Sequence, residues 1–142
     1  MAAGCGGSIG DFFQRVFVSP TTRVVRALGD RLKFDIADQT FDRAVTFLVA
    51  DVLGLGGFAG LLVANAFDFQ IDGQNPSKDM ALEVKFDPTK FPPGIQAADL
   101  DLYRLEGDTP VLVPGSTVDV ANNKVSAMVR QEGRYIVAAE SP

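Results

Sequence analysis

From Phe67 to Ala139 the chain alternates apolar and polar residues in short runs. Phe67, Phe69 and Ile71 form one run, Met80, Leu82, Val84 and Phe86 the next, and Leu100 and Leu102, with Leu105 shifted in phase, a third. Val118 and Val120 follow, then Val125, Ala127 and Val129, then Tyr135 and Val137. A period of two puts one set of side chains on a buried face and the other in water, so the runs predict antiparallel strands and not helices. Asp72-Gly73, Phe91-Pro92-Pro93-Gly94, Val113-Pro114-Gly115 and Asn122-Asn123 separate them with residue types that turns require.

The same pattern begins further upstream, at Arg23. Val24 and Val25 lead to Gly29-Asp30, a hairpin signal. Leu32, Phe34 and Ile36 alternate with Lys33 and Asp35, and after the polar Asp38-Gln39-Thr40 another strand holds Val45, Phe47 and Val49. About nine or ten short strands predict an all-β fold, a two-sheet antiparallel β-sandwich of immunoglobulin-like kind.

Two stretches depart from the alternation. Ile9, Phe12, Phe13, Val16 and Phe17 stand at helical spacing, with Asp11, Gln14 and Arg15 on the other side. Ser8 can cap such a helix and Ser19-Pro20 would stop it, so a short amphipathic helix is expected over 9–18. The chain then divides into a Gly-rich N-terminus with this anchoring segment, 1–22, and a sandwich domain, 23–142. The second stretch, Val52 to Ala64, is apolar yet contains four glycines. It reads as a loop or bent edge pressed against the sandwich end or against a partner, which makes Leu55, Phe58 and Leu61 candidate contact residues.

Composition narrows the chemistry. A chain of 142 residues has room for one core. The net charge is −5 and no basic residues cluster, which excludes the cationic stripe that nucleic-acid binding needs. Histidine is absent, and with it the commonest general base and transition-metal ligand. The single cysteine, Cys5, cannot form an internal disulfide or, without histidine, a tetrahedral zinc site. Ser116, Thr117 and Ser126 have no base of the usual kind. No run reaches the roughly 18 uninterrupted apolar residues of a membrane-spanning helix.

Other constellations reduce to plainer readings. Gly54-x-Gly56-x-x-Ala59 after an apolar strand imitates a dinucleotide-binding turn, but that mechanism needs a following helix, and Leu61 to Ile71 passes into period-two alternation. Asp99, Asp101, Glu106 and Asp108, or Asp68, Asp72 and Asn75, offer oxygen ligands without the spacing of a calcium loop. Glu83 or Glu106 with Asp101 makes an arbitrary glycosidase pair. No metal, no cofactor, no small-molecule substrate and no catalysis are expected. Ala2-Ala3-Gly4-Cys5-Gly6-Gly7-Ser8 does look like the acylation site of a bacterial lipoprotein, although no charged n-region and apolar h-region precede Cys5. Cys5 is therefore the candidate lipid-attachment residue.

Read as a whole, Arg23 to Ala139 resembles the ZU-five domain family, the β-sandwich module of ankyrins, netrin receptors and zonula occludens proteins that also occurs in bacterial surface proteins and lipoproteins. The resemblance lies in Ala66-Phe67-Asp68-Phe69-Gln70-Ile71-Asp72-Gly73, Ala81-Leu82-Glu83-Val84-Lys85-Phe86-Asp87-Pro88, Pro92-Pro93-Gly94, Leu100-Asp101-Leu102-Tyr103-Arg104 and Pro114-Gly115-Ser116-Thr117-Val118-Asp119. It is best over 66–139 and looser before Ala64. The family's proline-alanine-glycine turn near Ile36 is replaced here by Ala37-Asp38-Gln39. Where some relatives cleave themselves at a His-Phe-Ser stretch, this chain has Gln131-Glu132-Gly133, so self-cleavage is not expected.

The resemblance implies a non-enzymatic, extracytoplasmic structural or accessory subunit of the cell envelope. Apart from the resemblance, the acylation-like Cys5 and the aromatic segment with Ile9, Phe12, Phe13, Val16 and Phe17 predict anchoring to a membrane or membrane complex. Two alternatives stand beside it. One is a carbohydrate- or surface-polymer-binding module using Tyr103 or Tyr135, and the other a filament subunit that donates its N-terminal segment to a neighbour.

Overall fold

The computed structural model describes residues 13–29, 31–52, 57–58, 60–91, 93–107 and 109–140. Its strands are β1 (Phe13–Val18), β2 (Val24–Ala27), β3 (Leu32–Asp35), β4 (Val45–Asp51), β5 (Gly57–Phe58) and β6 (Leu61–Asp72), followed by β7 (Met80–Lys85), β8 (Asp101–Glu106), β9 (Thr109–Leu112), β10 (Thr117–Asp119), β11 (Lys124–Val129) and β12 (Gly133–Glu140). One sheet runs β1-β4-β6-β12-β8-β9, with β5 pairing β6 beyond the reach of β4. The other runs β10-β11-β7-β3-β2, and every pairing is antiparallel. The fold is thus all-β, built of two antiparallel sheets.

The sheets meet through the inward half of each alternating run. Phe34 on β3 stands 5.3 Å from Phe47 on β4 and 5.0 Å from Phe69 on β6, ring centre to ring centre, and Phe47 and Phe69 are 5.1 Å apart. All three are fully buried. Each such ring contributes about 1.5–3 kcal/mol by leaving water, and the edge-on contacts add to that. Leu32, Leu82, Val84, Leu102, Val125 and Val137 extend this core along both sheets.

β12 is covered on both of its faces. Tyr135, Val137 and Ala139 point into the inter-sheet core, while Ile136 and Ala138 join Leu61, Val63 and Ala66 in a second apolar cluster on the other face. Its sequence therefore reads Tyr-Ile-Val-Ala-Ala with no polar alternation, as expected of a strand buried on both sides. A bulge between Val137 and Ala138 shifts the register against β6. Ala64 is the extra residue, and the phase of β6 changes across it.

Turns follow local chemistry. Asp87 Oδ1 accepts from the Thr89 amide and hydroxyl, capping the 3-10 turn Pro88–Lys90 with proline in its first turn. Gly73 at φ +126° lies where a Cβ would meet the Ala44 carbonyl and a Val45 methyl at 3.3 Å, so the β6 end closes over the start of β4 only with glycine there.

Three expectations need correction. Residues 13–18 are strand, not helix: β1 pairs β4 from Phe13↔Ala50 to Val18↔Val45. A ten-residue helix containing glycine and valines has little stability of its own, whereas the strand gains a ladder partner and buries Val18. The remainder of the expected helix, Ile9 to Phe12, lies outside the described residues. The sheets also begin at Phe13, ahead of Arg23. Finally, Leu61 to Ala64 is no loop but the start of a twelve-residue strand, apolar on both sides because both faces of that sheet are covered there.

Candidate functional site

Two places gather the groups the sequence singled out. The first is the β1 edge. Among the described residues β4 is the sole ladder partner of β1, which leaves its other side as a sheet edge. Gln14, Val16 and Val18 face inward, and the Gln14 side chain accepts the Leu28 amide at 2.7 Å. Arg15 and Phe17 face outward, and Phe17 is the most exposed large apolar residue described, at 72%.

The proposed contact residues are distributed unevenly over this edge. Phe17 is displayed, Val16 is half-buried against the core, and Phe13 lies in β1. Cys5, Ile9, Phe12 and Leu55 lie outside the described residues. Phe58 is in β5, paired with Leu61. Leu61 itself is buried with Val63 and Ile136, so its side chain is engaged within the chain and not offered to a partner.

The second place is a cleft of about 900 Å³ between the segment that leads from Gly94 into β8 and the start of β10. Asp101 and Tyr103 from β8, Glu140 from β12, Gln96 and Asp99 from the leading segment, and Ser116 and Thr117 before and within β10 line it. The Ser116 hydroxyl accepts the Leu102 amide and donates to Asp101 Oδ1, both at 2.9 Å, and so fixes one wall. Tyr103 is partly buried; desolvation raises its pKa, and the negative charges of Asp101 and Glu140 push the same way. None of the lining residues is a cation. A half-buried ring flanked by carboxylates, an amide and hydroxyls can stack on and hydrogen-bond to a polyhydroxylated ligand.

The other tyrosine has a structural job. Tyr135 is buried, its ring stacks on Phe67, and its hydroxyl donates to the carbonyl of Gln131, four residues upstream. This is the arrangement known as a tyrosine corner, and it removes Tyr135 from the candidate ligand residues.

Of the carboxylates considered for catalysis or calcium, Asp99 and Asp101 line the cleft, Asp108 lies outside the described residues, and Asp68, Glu83 and Glu106 are engaged by cations. Glu83, on β7, pairs with Lys124 at 3.2 Å, whereas Glu106 pairs with Arg104 at the end of β8 in the other sheet. Asp68 takes a two-pronged contact from Arg134, at 2.7 and 3.1 Å. Among the described residues no three acidic or sulfur groups converge as a metal site would need. A strand, not a helix, follows the glycines at 54–57. The cleft escaped sequence reasoning because its walls come from three separate stretches spread between Gly94 and Glu140, which no local spacing records. Of its lining, the sequence marks Tyr103 as a ligand candidate, whereas it offers Asp99, Asp101, Ser116 and Thr117 only in constellations that are set aside. Compared with protein-family models and with curated proteins, the chain matches none.

Proposed function

We propose that this chain is a non-enzymatic structural or accessory module of the cell envelope, a β-sandwich of ZU-five or immunoglobulin-like type held in place through its N-terminal region. Exposed Phe17 on β1, which among the described residues pairs on one side only, carries the reading. A soluble module has no reason of stability to keep its most exposed large apolar side chain on an unpaired strand, where pairing with another surface is the characteristic hazard or use. This edge follows directly from the Gly-rich stretch around Cys5, so a lipid there and the strand edge would act as two attachments, and one acyl chain alone holds weakly.

Two further observations support the fold assignment. Gln39 adopts φ +64°, the left-handed conformation glycine takes most easily, at the place where the family pattern carries a glycine turn. The Tyr135 corner is a recurrent feature of immunoglobulin-like sandwiches. Engagement of Asp51, Asp68, Glu83 and Glu106 by cations supports a non-catalytic role.

The test is retention. Native membranes or envelope complexes should hold the full chain, and both removal of residues 1–12 and Phe17→Lys should release it while its unfolding transition stays in place. Continued retention of both variants would sink the reading. The cleft favours a second reading, a module for carbohydrate or surface polymer, on the strength of Tyr103 between Asp101 and Glu140. Oligosaccharide binding that Tyr103→Ala abolishes would establish it.

A further inference from the structure

The four outermost strands of the two sheets are not protected alike. β9 carries Pro110, β10 has three residues and ends on Asp119, and β2 has four residues with Arg26 among them. Short length, proline and charge are the usual means of discouraging edge pairing. β1 has none of the first two: it runs six residues, Phe-Gln-Arg-Val-Phe-Val, with one charge and no proline. Its outward face presents Arg15 and Phe17, two residues apart on the same side of the strand.

That spacing is self-complementary. In an antiparallel pair, residues directly opposite share a face. If two copies of β1 pair about a two-fold axis through Val16, Arg15 of each lies opposite Phe17 of the other. Gln14 then lies opposite Val18. Two guanidinium-on-ring contacts result, and no like charges face each other. The alternative register, centred on Arg15, sets two guanidiniums opposite one another and is disfavoured.

We infer that the β1 edge is an interface between two copies of this chain, joined antiparallel about Val16 into one continuous sheet. The interface is isologous, so it closes as a dimer and does not propagate into a filament. This deepens the envelope reading, on which it rests, by naming the partner of the same edge. A dimer also brings two N-terminal regions to one assembly, which doubles the attachment.

Sedimentation equilibrium of the purified full chain tests it. The wild type is expected to show a concentration-dependent dimer. Phe17→Lys should weaken self-association at least tenfold with an unchanged thermal transition, and Arg15→Glu should weaken it less. The double variant Arg15→Glu/Phe17→Lys should recover the dimer, because the introduced carboxylate of each copy then faces the introduced ammonium of the other in the Val16-centred register. In the Arg15-centred register the double variant would bring two carboxylates together and stay monomeric, which overturns the proposed pairing. A wild type that is monomeric at all concentrations overturns the interface altogether. If that monomer is still retained by native envelopes through Phe17, the envelope reading stands and only self-pairing falls. A dimer that envelopes do not retain supports self-pairing and removes the envelope reading.

Discussion

Tyr135 lies flat on Phe67, with ring centres 5.5 Å apart and planes inclined by only 11°. Because the Tyr135 hydroxyl also reaches back to the Gln131 carbonyl, one side chain ties the turn before β12 to the middle of β6. Tyr135→Phe keeps the stack and loses the hydrogen bond, and should cost about 1 kcal/mol. Tyr135→Ala removes both and should cost about 3–5 kcal/mol, measured by urea unfolding.

The same residue sets an alkaline limit. Burial pushes the Tyr135 pKa up to about 12, opposed only in part by Arg104. An unfolded tyrosine releases its proton near pH 10. Between about pH 10 and 12 the native state therefore binds more protons than the unfolded one, and stability falls as pH rises. Below pH 10 this contribution is complete. Absorbance titration of the native protein should show no phenolate step at the ordinary position, since Tyr103 is also shifted upward. A normal step near pH 10 in folded protein would contradict the burial.

Phe34 and Phe17 make an internal comparison of identical side chains. Phe34 is fully buried between Phe47 and Phe69, and Phe17 is 72% exposed. Phe34→Ala should cost about 3–5 kcal/mol through lost transfer and the cavity left behind. Phe17→Ala should change the stability of the dilute chain by no more than about 0.5 kcal/mol. Chemical denaturation of both variants checks the ratio.

Two ion pairs should behave differently. Arg31 reaches from the β2–β3 turn across the sandwich end to Asp51 Oδ2 at 2.9 Å, while Asp51 Oδ1 is buried with no hydrogen-bond partner among the described residues. The carboxylate is only 10% exposed, so Arg31→Met strands a buried charge and should cost about 3 kcal/mol. Adding Asp51→Leu should recover much of that loss in a double-mutant cycle. Arg134 and Asp68 have better geometry but are 44% and 37% exposed. Arg134→Ala should cost less than about 1 kcal/mol, and less still at high salt.

Period-two alternation made most strands legible: β3, β4, β7 and β11 each present one clean buried face. β1 misled because Phe12, Phe13, Val16 and Phe17 satisfy a helical stripe as well as a strand, and its inward face includes Gln14. Only the tertiary partner β4 decides between them. β9 was illegible because a four-residue edge strand with a proline buries too little to leave a pattern. Tyr103 and Tyr135 were indistinguishable as ligand candidates, since both stand in strands. The difference is that Tyr135 shares the inward phase of Val137, whereas Tyr103 lies opposite in phase to buried Leu102.

Strand order also dictates when this molecule can assemble. β12 sits between β6 and β8 and, among the described residues, is the one strand joining them within their sheet. On a ribosome it is made after both, so the larger sheet remains two separate halves, with the edges of β6 and β8 bare, until Gly133–Glu140 emerges. The smaller sheet has all its strands earlier. Synthesis thus leaves a window in which half the molecule can be captured by the wrong strand, and its length is set by the time taken to translate the chain from β8 to β12.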